Sequence, residues 1–119
     1  METLIDWLPR IAAILTLILG LVGFFKPRLI TDGQQIELAS AMAMSEARVV
    51  FGGLHIGSSI VALALHEPVI YITLGAAWLF GLLARFYSML VDKTGLKNSM
   101  PGIVVDGSMA FLFLSGLFL

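Results

Sequence analysis

The stretch VIYITLGAAWLFGLLARFYSMLV, residues 69–91, holds a single charged side chain, Arg85, in an otherwise apolar run. An α-helix rises about 1.5 Å per residue, so a segment of this length covers the ~30 Å hydrocarbon core of a bilayer. The apolar residues follow one another without the polar alternation of a half-buried strand, and the run is too long for one. The same pattern recurs on both sides. Residues 47–65 form an apolar run that stops at His66-Glu67-Pro68, leaving almost no loop before Val69. Residues 7–25 form another, closed by Lys26-Pro27-Arg28. Pro9 lies in its first turn, where a missing N–H costs least, and Arg10 is within snorkelling reach of the interface. Downstream, Asp92-Lys93-Thr94-Gly95 makes a polar turn with a glycine stop signal. The last run, 101–118, opens on Pro101-Gly102, a pair suited to a first helical turn. Backbone groups in hydrocarbon must be satisfied within the segment, which selects helices. The sequence predicts an all-α fold, a four-helix transmembrane bundle forming one membrane domain over residues 1–119.

Composition agrees. Of 119 residues, 59% are hydrophobic and 13% charged, against about 45–50% and ~25% in soluble domains. The mean hydropathy is +0.99. A lone soluble chain with so few charges could not cover its apolar side chains, so the lipid bilayer is the expected partner. The net charge is −1 with no basic tract, and no nucleic-acid partner is expected. Cysteine is absent, which removes disulfides, thiol catalysis and thiolate metal sites. No metal and no cofactor is expected. The start, Met1-Glu2-Thr3-Leu4-Ile5-Asp6, is acidic where a secretory signal is basic, and Phe24-Phe25-Lys26-Pro27 offers no small-residue cleavage site, so the first run is expected to be retained.

Residues 31–46 differ from the rest. Asp32 is a candidate helix cap, and Ile36, Ala39, Ala43 and Met44 recur at helical spacing opposite Gln34, Gln35, Glu37 and Ser45. An interfacial helix or a cytoplasmic extension of the second span is expected, with a plain loop as the alternative. Short-loop Lys and Arg residues set orientation. Lys26, Arg28 and Arg48 flank the first connection and Arg85, Lys93 and Lys97 the third, whereas the opposite side offers Arg10. Both termini are expected on the non-cytoplasmic side.

In that topology Glu46, Arg48, Arg85, Asp92 and Asp106 fall near one end of the bundle. Ions at membrane depth are costly and seek partners. Mutual pairing as structural glue is expected, with a site for a lipid headgroup, an anion or protons as the alternative use. Arg48, Gly52, His55 and Ser59 follow at three- and four-residue steps and share a helix face. His55 has no His or carboxylate one turn on, so a hydrogen bond facing the bundle suits it better than a metal or haem role. Ser58, Ser59 and Ser88 are the polar residues beside these groups. Gly52, Gly53 and Gly57, with a GxxxG at Gly53 and Gly57, mark a close-packing helix face. Gly20, Gly23, Gly75, Ala76, Ala77 and Gly81 are candidate facing surfaces. Trp7 and Tyr71 fit an interfacial belt and Trp78 mid-membrane packing. No phosphate-cradling loop, no HExxH and no nucleophile with an adjacent oriented base is present, so catalysis is not expected.

The segment Glu46-Ala47-Arg48-Val49-Val50-Phe51-Gly52-Gly53 resembles the opening of the second span in a bacterial domain-of-unknown-function family of small four-helix integral membrane proteins. That family's pattern is Glu-x-Arg, an aromatic residue, then Gly-Gly. Arg85, Ser88 and Asp92 resemble its Arg-x-x-Ser and acidic ending of the third span. Asp106 stands where the family more commonly has glutamate. The resemblance covers nearly the whole chain. It implies a bacterial inner-membrane setting and four spans, and carries no activity. Small size, minimal loops and glycine-rich faces lead to the expectation of a non-catalytic accessory or scaffold subunit, docking against a membrane-protein partner or a second copy. The alternatives are a small-molecule or lipid-binding or transport component built on the charged cluster, and an enzyme acting on a lipid or quinone.

Overall fold

The structure is a computed structural model that describes residues 4–119; Met1, Glu2 and Thr3, part of the acidic start, lie outside the described residues. The elements are α1 (Leu4–Phe25), α2 (Arg28–Thr31), α3 (Ala41–Ala47), a π-helical segment (Arg48–Gly53), α4 (Leu54–Leu65), α5 (Pro68–Val91), α6 (Leu96–Leu114) and a 3-10 turn (Ser115–Leu117). The fold is all-α among the described residues. Four helices are long and apolar enough to cross a membrane: Leu4–Phe25, Ala41–Leu65, Pro68–Val91 and Leu96–Leu117. Between 11% and 33% of their most apolar windows is buried within the protein, so most of that apolar surface faces outward. A monomer in water does not sustain so large an exposed apolar surface.

The chain divides into two compact units, one made of α1 up to Ala12 with His66–Leu119, the other of Ala13–Leu65. In the second unit, the later half of α1 packs against the helix that begins at Ala41. Glycines make the approach possible. A Cβ at Gly52 would lie 2.7 Å from the Cα and N of Phe24, and one at Gly20 would lie 2.9 Å from the backbone N of Ile56. Gly23 sits as tightly against Phe51. The π-helical segment spans Arg48 to Gly53, and the N–H of Leu54 still reaches back to the carbonyl of Val49. Such wide turns are rare inside α-helices and favour functional positions.

Residues 31–46 resolve into two halves. Asp32 does not cap a following helix; its backbone N–H closes α2 onto the Arg28 carbonyl. Residues 32–39 are turns and extended chain, with Gln35 at φ 59°. Helix resumes at Ala41, where Ser40 caps it by accepting the Ala43 N–H at 3.0 Å. The spacing of Ile36 and Ala39 with Ala43 suggested a helix, but an extended Ser40 satisfies the first orphan N–H and fixes the start there. The second half therefore extends the second span.

In the first unit α5 and α6 run antiparallel and supply the main packing. A Cβ at Gly75 would lie 2.6 Å from Leu114, and Tyr71 stacks on Phe113 with centroids 6.3 Å apart. Met109, Ala110 and Phe113 are buried on the inner face of α6. Two helix starts differ from the expected ones. α6 begins at Leu96, with Gly95 at φ 81° as its N-cap, so Pro101 lies inside the helix, not in its first turn. Gly95 thus starts α6 rather than ending α5, and Lys93, at φ 56°, takes the left-handed position after α5. Pro9 likewise lies inside α1, which begins by Leu4. Each proline removes one backbone bond, which the neighbouring turns tolerate.

Between α4 and α5 only His66 and Glu67 are non-helical. So short a connection suits a left-handed residue directly after the helix. His66 takes it at φ 49°. Glu67 is extended, as a residue before proline should be, and Pro68 opens α5.

Candidate functional site

The polar groups of the first unit gather at its two ends. At the end where α5 finishes and α6 begins, Arg85 Nε donates to Asp106 Oδ2 at 2.8 Å. Asp106 is buried, at 7% exposure, and the side chain of Arg85 is 30% exposed. The guanidinium lies directly over Gly102, so closely that a Cβ there would collide with it. Glycine is what lets the arginine reach across α6 and meet an aspartate one turn further on. Closer to the connection, Ser88 Oγ donates to Asp92 Oδ2 at 2.5 Å, and the Asp92 N–H bonds the Ser88 carbonyl. Thr94 and Ser99 share a hydroxyl bond at 3.1 Å across the start of α6. Of the five expected cluster residues, Arg85 and Asp106 meet directly, while Asp92 bonds to Ser88.

Arg48 and Glu46 belong to the other unit. Arg48 Nη1 donates to the carbonyls of Phe24 and Phe25, the second at 3.4 Å. These are end carbonyls of α1, left without intrahelical donors and carrying partial negative charge. Arg48 therefore acts as a cap on a neighbouring helix end. Glu46 lies on the exposed side of α3. His55 Nδ1 donates to the Val50 carbonyl at 3.0 Å, a bond within its own helix, at the π-helical segment. Ser59, fully buried, donates to the Ile56 carbonyl at 3.0 Å, and Ser58 to that of Leu54 at 2.7 Å. Gly52 is buried against Phe24, whereas Gly57 has no atom within 4 Å and Gly53 meets only the Arg48 carbonyl of its own helix, at 4.0 Å. The close-packing face is thus Gly52 with Gly20 and Gly23. The Gly53–Gly57 pair points outward.

The sequence reading did not join the groups at the opposite end of the first unit. Arg10 Nη2 lies 2.8 Å from His66 Nε2, His66 Nδ1 lies 2.7 Å from the Tyr71 hydroxyl, and Arg10 also hydrogen-bonds Tyr71. The Arg10 guanidinium sits 4.6 Å from the centroid of Trp7, a cation–π distance. Arg10, Trp7 and Tyr71 fit an interface each by itself, and His66 stands at the stop after residues 47–65. Their common level, at the start of α1 and the turn before α5, was the available signal. No group of three or more His, Cys, Asp or Glu able to hold a metal occurs among the described residues.

Compared with known proteins, the chain matches no family model, no curated protein and no solved structure.

Proposed function

We propose that the chain is a multi-pass protein of a bacterial cytoplasmic membrane and serves there as a non-catalytic accessory or scaffold subunit, docking within the bilayer against a larger assembly. The observation that carries this reading is the outward Gly53–Gly57 pair. Gly20, Gly23, Gly52, Gly75 and Gly102 each make a contact that a side chain would obstruct, while Gly53 and Gly57 keep the same smallness toward the outside. Small residues on an outer face let another helix backbone approach. The charged side chains support the same reading, because Arg85, Asp106, Asp92 and Arg48 all bond within the chain. A ligand site built on Arg85 and Asp106 draws less support, since the two bind each other over a glycine with no room above it. The resemblance to small bacterial four-span proteins and the Lys and Arg distribution support the membrane setting and an orientation with both termini on the non-cytoplasmic side.

The test is recovery of tagged protein from native membranes in a mild detergent, for the wild type and for Gly53→Leu with Gly57→Leu. The wild type should bring down a constant companion and the variant should lose it while keeping its helicity. Wild-type protein recovered alone, or a companion retained by the variant, refutes the docking role. A phosphatase fused after Leu119 should be active and a fluorescent protein there dark; the reverse result refutes the orientation.

A further inference from the structure

The connection between α1 and α3 folds around a cleft of about 450 Å³, a size within the range of small-molecule sites, about 300–1,000 Å³. Arg28 and Asp32 line it from α2 and its C-terminal cap, and Gln35, Glu37, Leu38 and Ala39 from the chain that follows. α2 turns Pro27 and Thr31 inward, where both are buried. Arg28 and Asp32, the next residue on in each case, therefore share the neighbouring face one turn apart. Past Asp32 the chain bends: the Ile36 N–H bonds the Thr31 carbonyl at 2.8 Å, and Gln35 takes a left-handed φ of 59°. Glu37, Leu38 and Ala39 continue it as extended chain.

The charges of this cleft differ from the others in the protein. Of the four arginines, Arg10, Arg48 and Arg85 each bond within the chain. Arg28 makes no ion pair and no side-chain hydrogen bond among the described residues. The aspartates divide in the same way: Asp6, Asp92 and Asp106 have partners, and Asp32 has none among the described residues. Arg28 and Asp32 stand at a spacing where opposite charges commonly pair, yet they do not meet. Glu37 is equally unpaired, and the N–H groups of Glu37, Leu38 and Ala39 make no bond to any described residue. The level of the cleft is set by the helices on either side. α1 ends at Phe25, just before Arg28, and the next helix long enough to cross a membrane begins at Ala41, just after Ala39. A span ends where hydrocarbon gives way to headgroups. Phe25 and Leu29, both 68% exposed, put apolar surface beside the charges.

We propose that this cleft binds the headgroup of a phospholipid bearing a primary amine, a phosphoethanolamine group, with its phosphate on Arg28 and its ammonium between Asp32 and Glu37. The planar fork of arginine matches two phosphate oxygens. A primary ammonium offers three N–H donors to carboxylates. The unbonded N–H groups of Glu37, Leu38 and Ala39 supply donors for the remaining phosphate oxygens. One cation and two carboxylates give the cleft a net charge of −1, which repels an anionic lipid without an amine. A choline has no N–H to donate, and the aromatic faces that hold quaternary ammonium groups are missing from this lining. Soluble phosphoethanolamine esters share the headgroup chemistry; the exposed Phe25 and Leu29 favour a molecule with acyl chains. The site rests on the long helices lying in a membrane and does not depend on the Gly53–Gly57 face.

The experiment is native mass spectrometry of the full chain released from dodecyl maltoside. Dioleoyl phosphatidylethanolamine, phosphatidylcholine and phosphatidylglycerol are titrated in separate arms, and glycerophosphoethanolamine in a soluble arm. One phosphatidylethanolamine should stay on each chain, about tenfold tighter than either other lipid, the equivalent of one charge-assisted hydrogen bond. Arg28→Gln should weaken it about tenfold for the same reason. Asp32→Asn with Glu37→Gln leaves the cleft with the charge of Arg28 alone and should reverse the order, phosphatidylglycerol now binding over phosphatidylethanolamine. The three side chains are exposed, so the variants should keep the helicity of the wild type by circular dichroism. An equal response to the three lipids, an unchanged affinity in Arg28→Gln, or a preference that survives loss of both carboxylates overturns the proposal. Glycerophosphoethanolamine binding as tightly as the lipid overturns it too, and assigns the cleft to a soluble ester.

Discussion

Replacing Asp106 by leucine and Arg85 by methionine, singly and together, measures what the pair between α5 and α6 contributes. At the observed separation of 2.8 Å, two unit charges attract by about 6 kcal/mol at an effective dielectric constant of ~20. Desolvation of both groups opposes this, and the 30% exposure of the arginine side chain reduces it further. Removing one partner alone leaves the other ion without its counter-charge at membrane depth, which costs about 3–5 kcal/mol in buried pairs. Both single variants should lose stability in that range. The double variant places two apolar side chains in the same volume and should recover to within about 1–2 kcal/mol of the wild type, because apolar substitution of a whole pair is often close to neutral. The assay is reversible unfolding by sodium dodecyl sulfate titrated into maltoside micelles, followed by far-ultraviolet circular dichroism, with the coupling taken from the four-member cycle. If the double variant loses the sum of the single losses, the two residues act independently and the reasoning about the pair fails. A near-neutral Asp106→Leu would refute it equally.

Gly102→Ala should weaken the same pair, since the new methyl occupies the place of the Arg85 guanidinium; a loss of about 1–3 kcal/mol in the same titration is expected, and a neutral result would mean the arginine reaches Asp106 by another path. Gly52→Ala should cost a similar amount, because its Cβ meets the backbone of Phe24, which cannot rotate away. Gly57→Ala meets no atom within 4 Å and should leave the isolated chain as stable as before, or more so by up to about 1 kcal/mol; destabilisation comparable to Gly52→Ala would show that both glycines pack internally. Ser40→Ala removes the cap at Ala41 and should lower the protection of the Ala43 and Met44 amides against hydrogen exchange by roughly fivefold, for a capping loss of about 1 kcal/mol; unchanged exchange would assign the helix start to another cause.

The number and placement of the spans were legible because hydrocarbon is a demanding solvent. A run such as 69–91 has no other economical place, and its ends are announced by His66-Glu67-Pro68 and Asp92-Lys93. Helix starts were less legible. Pro101 and Asp32 each carry a signal that suits a first turn, and in both cases a neighbour, Gly95 or Ser40, had a stronger claim once the chain was folded. That Arg85 would find a carboxylate followed from the cost of a lone ion. That the carboxylate would be Asp106, with Asp92 bonding to Ser88, did not, because both aspartates lie within reach on paper.

Sequence alone determined that this chain is helical, that it has four segments long and apolar enough for a membrane, and that its few ions must be compensated. These are consequences of solvation, which acts on each segment separately. Tertiary structure decided which of three candidate glycines, Gly52, Gly53 or Gly57, faces a neighbour, where a π-helical segment shifts the phase of the second span, and that Arg10, His66 and Tyr71 form one network. Those outcomes depend on helix rotation and on distances of a few tenths of an ångström between segments far apart in the chain, and no single segment encodes them.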